Sequence, residues 1–252
     1  MREDFTVFGP AHVAILAATP VIPLLLAALA RRRPRLRHAL RLGLAAVLMG
    51  GELLFYGYMA GMGVLRFPDG LPLQFCNIAL WITVLALATR VGALENLAWY
   101  LGAIGPTVGL LIPQLWLPAL SLPSVQYFIG HAGVLVSILF LVLSGEARPS
   151  ARAAVPAFAA LNAIAIGLGV FDGVYSTNYM FLRHKPAGPE AILGLFGPWP
   201  WYMATSELVA AACFVLLALP FRRRRRLSWR PVLPAIEAAK SAAAAQQAQS
   251  GD

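Results

Sequence analysis

Six side chains stand where an ionisable or nucleophilic group is costly: Glu52, Cys76, Glu95, His131, Asp172 and Glu207 lie within or at the ends of long apolar runs. A charge inside a membrane span costs about 2.5–3.5 kcal/mol on insertion scales, so each is a functional-site candidate. Cys76 and His131 offer the most chemistry. A thiolate is a strong nucleophile and an imidazole can generate it or hold it as an ion pair, the minimal apparatus of acyl transfer. Asp172 or Glu207 is expected to orient the imidazole by accepting its other N–H. The helix that starts beside Cys76 supplies free N–H groups and a positive dipole end for an oxyanion, with Asn77 as a candidate side-chain donor. Gln74 adds polar lining and Glu52 a supporting carboxylate.

Each of these residues also has a plainer reading. Glu95 would cap its own helix or pair with Arg90, and Glu52 and Tyr56, one turn apart, could satisfy each other. Asn162 and Gln126 suit interhelical hydrogen bonds worth about 0.6 kcal/mol each. Cys213, among Ala, Phe, Val and Leu, reads as inert packing. It is expected to lie too deep to bridge to Cys76, since bridged Cα atoms are within about 7 Å. The sequence holds no CxxC, no HExxH and no Gly-rich phosphate loop, so neither metal nor cofactor is expected.

The elements that must position these groups are membrane helices. Of 252 residues, 59% are hydrophobic and 12% charged; a soluble domain carries about 25% charged residues. Apolar runs at about 11–30, 42–62, 73–89, 94–112, 124–143, 153–172 and 200–220 have the length that crosses a hydrocarbon core. The expectation is an all-α integral membrane protein with seven transmembrane helices in residues 1–220, the short third and fourth being the most upright or the most central. Residues 221–252 form a basic, then Ala-rich cytoplasmic tail, expected to be disordered or a frayed helix.

Charge sets the orientation. Arg31, Arg32, Arg33, Arg35, Arg37, Arg41, Arg90, Arg148, Arg152 and the Arg-rich tail fall on one side of a seven-helix chain, leaving Arg2, Arg66, Arg183 and Lys185 on the other. The positive-inside rule then puts the N-terminus outside and the C-terminus in the cytoplasm. Cys76, His131, Asp172 and Glu207 accordingly fall in the outer half of the bilayer. The net charge of +9 is read as topology determinants with attraction to anionic lipid headgroups, not as nucleic-acid binding. The excess of Arg over Lys suits a GC-rich bacterial genome and hence a bacterial cytoplasmic membrane.

In the connection "DGVYSTNYMFLRHKPAGPEAILGLFGPWP", Tyr175, Asn178, Tyr179 and Arg183 are candidate contacts for a lipid headgroup. Folded over the helix ends the connection would form a lid; an interfacial anchor without substrate contact is the equal alternative.

Three stretches, "LPLQFCNIALWITVLALATR", "YFIGHAGVLVSILFLV" and "NYMFLRHKPAGPEAILGLFGPWPWY", resemble the YwaF-type bacterial membrane proteins, which are related to the animal transmembrane protein 164 family. The resemblance spans about residues 8–220. It implies a multi-helix membrane domain and a cysteine-dependent phospholipid acyltransferase working through an acyl-enzyme with a histidine partner. By motif position these are Cys76 and His131. More distant relatives hydrolyse lipid esters, so transferase and hydrolase are neighbouring outcomes. The family's bacterial motif has a His two residues before the Cys and an Asp after it, where this chain has Gln74 and Asn77.

The expectation is a glycerophospholipid acyltransferase or acyl hydrolase that takes membrane lipids as substrate. The alternative is a proton-coupled transporter or ligand-binding membrane protein using Glu52, His131, Asp172 and Glu207; a polar path through to Glu95 would mark it.

Overall fold

Each apolar run becomes one helix in the computed structural model, which describes residues 5–113, 115, 118, 120–185 and 192–222. The helices are α1 (Pro10–Arg32), α2 (Pro34–Gly61), α3 (Phe75–Thr89), α4 (Gly92–Leu111), α5 (Leu122–Leu143), α6 (Ala154–Tyr175) and α7 (Trp201–Ala218), with no strand among the described residues. Five of them, α1, α2, α5, α6 and α7, are long and apolar enough to cross a membrane. At 15 residues, α3 rises only about 22 Å. The polar tail expected beyond residue 220 lies almost wholly outside the described residues.

α3, the shortest helix, and α4 are the enclosed ones. α3 packs against α2, α4 and α5; α4 packs against α3, α5, α6 and α7; α1 and α2 also lie on α5. Ala79, Leu80, Thr83, Val84, Ala86 and Leu87 are buried along α3. They meet a core that includes Leu48 of α2 and Val134, Phe140 and Leu141 of α5. On the other side, Tyr100 of α4 stacks on Phe214 of α7 with ring centroids 5.2 Å apart. Small residues let the helices approach where lipid gives no hydrophobic push: a methyl on Gly102 of α4 would stand 3.0 Å from Val134.

The Arg-rich stretch departs from expectation. Instead of a loop over residues 31–41, Arg33 alone separates α1 from α2. Arg, Leu and Ala are good helix formers, and Pro34 suits the first helical position. α2 therefore starts eight residues before its apolar run, and Arg41 is buried inside it, 1% exposed.

Arg41 does more than mark a cytoplasmic loop. Its guanidinium donates to the carbonyls of Ala86 and Leu87 in the last turn of α3, where carbonyls run short of intrahelical partners; that of Ala86 also accepts the Arg90 N–H at 3.3 Å. It also pairs with Glu95 of α4 at 3.1 Å and with Glu146 after α5 at 3.4 Å. Arg37 and Arg90 complete the cluster on Glu146, at 3.5 and 3.3 Å. Glu95 thus pairs with Arg41, not with Arg90.

Candidate functional site

The opposite end of α3 holds Cys76. Gln74 is the N-cap residue, but its side chain does not cap the helix; Oε1 accepts instead from the Met180 N–H at 3.0 Å. Cys76 and Asn77 therefore occupy the first turn. The backbone N–H groups of Phe75, Cys76 and Asn77 have no partner among the described residues, as expected of a helix start. Cys76 is half-buried, and both cysteines are free.

Two glycines of α4 bring Cys76 and His131 to one surface. A methyl built on Gly105 would stand 2.5 Å from the Phe75 ring and 3.3 Å from Cys76 Sγ. One turn further along, a methyl on Gly109 would stand 2.6 Å from His131 Nε2. Residues four apart share a helix face with Cβ positions about 5–6 Å apart. The thiol and the imidazole of α5 thus each rest against a glycine of α4, the two glycines one turn apart. No hydrogen bond joins Cys76 to His131.

His131 is oriented by its own helix. Its Nδ1 lies 2.7 Å from the Tyr127 carbonyl. A carbonyl can only accept, so Nδ1 carries the proton and Nε2 is left with its lone pair. Tyr127 also stacks on the imidazole with centroids 4.0 Å apart, and its hydroxyl donates to the Gly109 carbonyl at 2.8 Å. Tyr127 thereby fixes both the ring and the glycine it rests on.

This arrangement corrects the expected triad. Asp172 is fully buried, but its Oδ1 accepts from Thr177 Oγ1 at 2.6 Å and from the Tyr179 N–H at 3.0 Å. It folds the chain back after α6. Its Oδ2 has no partner among the described residues. Glu207 accepts from Asn162 at 2.7 Å on the exposed α6–α7 face. Neither carboxylate reaches His131; the Tyr127 carbonyl holds the place expected of them.

Glu52 has partners on two other helices. Its oxygens accept from Asn77 Nδ2 at 2.6 Å and Gln126 Nε2 at 2.7 Å, and not from Tyr56. The buried carboxylate links α2, α3 and α5 immediately beside Cys76. Asn77 is thus committed through one amide proton to Glu52, leaving the other for a second acceptor.

The four expected headgroup contacts have structural partners. Tyr179, 3% exposed, donates its hydroxyl to the Pro68 carbonyl at 2.6 Å and accepts the Leu71 N–H at 3.1 Å. Asn178 accepts from the N–H groups of Arg183 and His184. Arg183 donates to the carbonyls of Asp172 and Thr177, at 3.2 and 3.4 Å, at the end of α6. Tyr175 is exposed and packs edge-on against Phe67. The segment through Arg183 therefore lies on the 67–74 connection and, through Gln74, on the start of α3.

Sequence reading missed His12, Tyr127, Gly105 and Gly109. His12 is fully buried; Nδ1 accepts the Phe8 N–H at 2.9 Å and Nε2–H donates to the Leu110 carbonyl at 2.7 Å. With Tyr127 it satisfies the last carbonyls of α4. The glycine spacing in "GAIGPTVGLL" was the available signal for the glycine pair; nothing local marked His12 or Tyr127.

No curated protein and no solved structure matches this chain. The sequence profile of the TMEM164 family matches residues 7–218, from ahead of α1 to the last residue of α7. A helical, multi-pass membrane bundle over those same residues accompanies the match, and the chain belongs to the TMEM164 family.

Proposed function

We propose that this protein is a membrane-embedded acyltransferase or acyl hydrolase acting on glycerophospholipids through a thioester on Cys76. The supporting observation is the pair Gly105 and Gly109, one helical turn apart, against which Cys76 Sγ and His131 Nε2 rest. Nε2 is the basic nitrogen because the Tyr127 carbonyl holds the Nδ1 proton.

In the reaction, Nε2 takes the Cys76 proton and the thiolate attacks the acyl ester carbonyl carbon. A C–S bond forms as the carbonyl opens to an oxyanion. The unpaired N–H groups of Phe75, Cys76 and Asn77 lie at that end of α3 and suit the developing charge. Collapse breaks the ester C–O bond, and the leaving alkoxide takes the proton back from His131. An acceptor hydroxyl, or water, then attacks the thioester with Nε2 again as base, and the thiol is restored. The absence of a direct Cys76–His131 hydrogen bond suits a ligand-free site, where catalytic contacts are commonly long.

We place the site in the outer half of a bacterial cytoplasmic membrane. Exposed Arg32, Arg33 and Arg35, with the tail, face the cytoplasm and its anionic headgroups. The transporter reading draws no support: Leu48, Leu80, Val84, Leu87 and Val134 form an apolar core around α3, and Glu95 is bound to Arg41.

The test is purified protein in proteoliposomes with radiolabelled phospholipid. A hydroxylamine-sensitive acyl adduct on Cys76, absent from Cys76→Ala and retained in Cys213→Ala, supports the reading. Undiminished lipid turnover by Cys76→Ala would end it.

A further inference from the structure

A groove of about 220 Å³ opens between α2 and α5, lined by Gly51, Leu54 and Phe55 on one side and Val125, Gln126 and Ile129 on the other. The spacing i, i+3, i+4 puts the first trio on one face of α2, and Ile129 lies one turn from Val125 and Gln126 on α5. Both helices are membrane spans by length and composition, so the groove opens where lipid chains are. Gly51 keeps it open: a methyl there would stand 3.2 Å from Ile129. Leu54 and Val125 are exposed at its rim, at 63% and 39%.

Gln126 is the one polar side chain among these six, and it connects the groove to the site. Its amide donates to Glu52, which accepts from Asn77, the residue next to Cys76. An apolar slot that meets a hydrogen-bonded chain leading to the nucleophile matches a ligand with an apolar tail and a polar ester head.

Building on the proposed function, we propose that this groove receives the acyl chain of the glycerolipid substrate, admitted laterally between α2 and α5 with its ester end toward Gln126 and Cys76. The lipid reaches the thiol from within the bilayer. The 176–183 segment, pinned by Tyr179 and Gln74, stays in place during that approach.

The experiment uses full-length protein in phosphatidylethanolamine–phosphatidylglycerol vesicles doped with a phospholipid carrying a diazirine in its acyl chain. After photolysis, adducts are mapped by mass spectrometry. Expected are adducts concentrated on residues 51–55 and 125–129, in wild type and Cys76→Ala alike. Val125→Trp and Leu54→Trp should each lower them several-fold, because an indole at the rim fills the space the chain would occupy. Ile166→Trp, on the exposed face of α6, should leave them unchanged. Adducts spread evenly over the exposed faces of α2, α5 and α6, or unmoved by both rim variants, overturn the proposal. Groove adducts without any Cys76 acyl adduct leave the groove standing and defeat the catalytic reading. A Cys76 adduct with no groove labelling does the reverse.

Discussion

At the end of α3 that carries Ala86 and Leu87, the carbonyls and carboxylates are drawn together by Arg41: two backbone oxygens, Glu95 and Glu146 converge on one buried guanidinium. At the end that carries Cys76, the thiol and Nε2 of His131 have no hydrogen bond among the described residues, although Glu52, Asn77 and Gln126 bind one another close by. Both ends place polar groups in an apolar bundle, where burial is costly unless they are paired. The first meets it by pairing, with Arg41 spent on four acceptors, which fixes geometry. The second leaves the Cys76 thiol and His131 Nε2 unspent, beside a Glu52 carboxylate held by Asn77 and Gln126. Unspent bonding capacity is what separates this end from the structural clamp at the other.

The largest effects expected are those that strike only the reactive end. Cys76→Ala should abolish acyl-adduct formation and lower lipid turnover by about 10³-fold or more, with a melting temperature close to wild type, because the thiol bonds nothing. A collapse of stability in this variant would erase the contrast between the ends. His131→Gln should lower turnover by about 10²–10⁴-fold, the usual weight of a general base, measured as initial rate against phospholipid concentration.

Arg41→Ala should do the opposite, costing about 3–5 kcal/mol of stability by leaving buried carboxylates and carbonyls unpaired. Activity per folded molecule should stay within a few-fold of wild type; thermal unfolding in detergent, paired with activity normalised to folded protein, reads both. An Arg41→Ala protein of normal stability would deny the clamp its role. Gly109→Ala should cost about 1–3 kcal/mol from overpacking and also lower turnover, since its methyl displaces the His131 ring. Gly43→Ala, with nothing within 4 Å of its added methyl, is the matched control. The smallest effect is assigned to Asp172→Asn. Oδ1 already accepts both of its bonds, so the amide should change stability by about 1 kcal/mol or less and leave turnover intact, whereas a triad member would lose most of its rate.

The sequence carried the helices well, because each span is an unbroken apolar run of crossing length. It carried the α1–α2 junction poorly, since Arg-rich helix and Arg-rich loop have the same composition. Cys76 and His131 stood out by residue type in an apolar setting. Their support did not: a backbone carbonyl, such as that of Tyr127, has no signature in sequence. The triad expectation therefore fell on Asp172 and Glu207, the nearest carboxylates by depth. Depth along a helix axis says nothing of the direction a side chain faces. Asp172 turns into its own loop, and Glu207 turns to Asn162. Arg41 was misread for the same reason, as one charge among six in a stretch where it alone is buried.

The central claim is that Cys76 carries the acyl chain while His131 serves it as base. Intact-protein mass spectrometry after incubation with a single defined phospholipid tests this most directly. The account predicts a mass increase of one acyl group that hydroxylamine removes, that is lost in Cys76→Ala, slowed in His131→Gln and unaltered in Cys213→Ala. An acyl group that persists in Cys76→Ala, or that forms at the wild-type rate in His131→Gln, would contradict it.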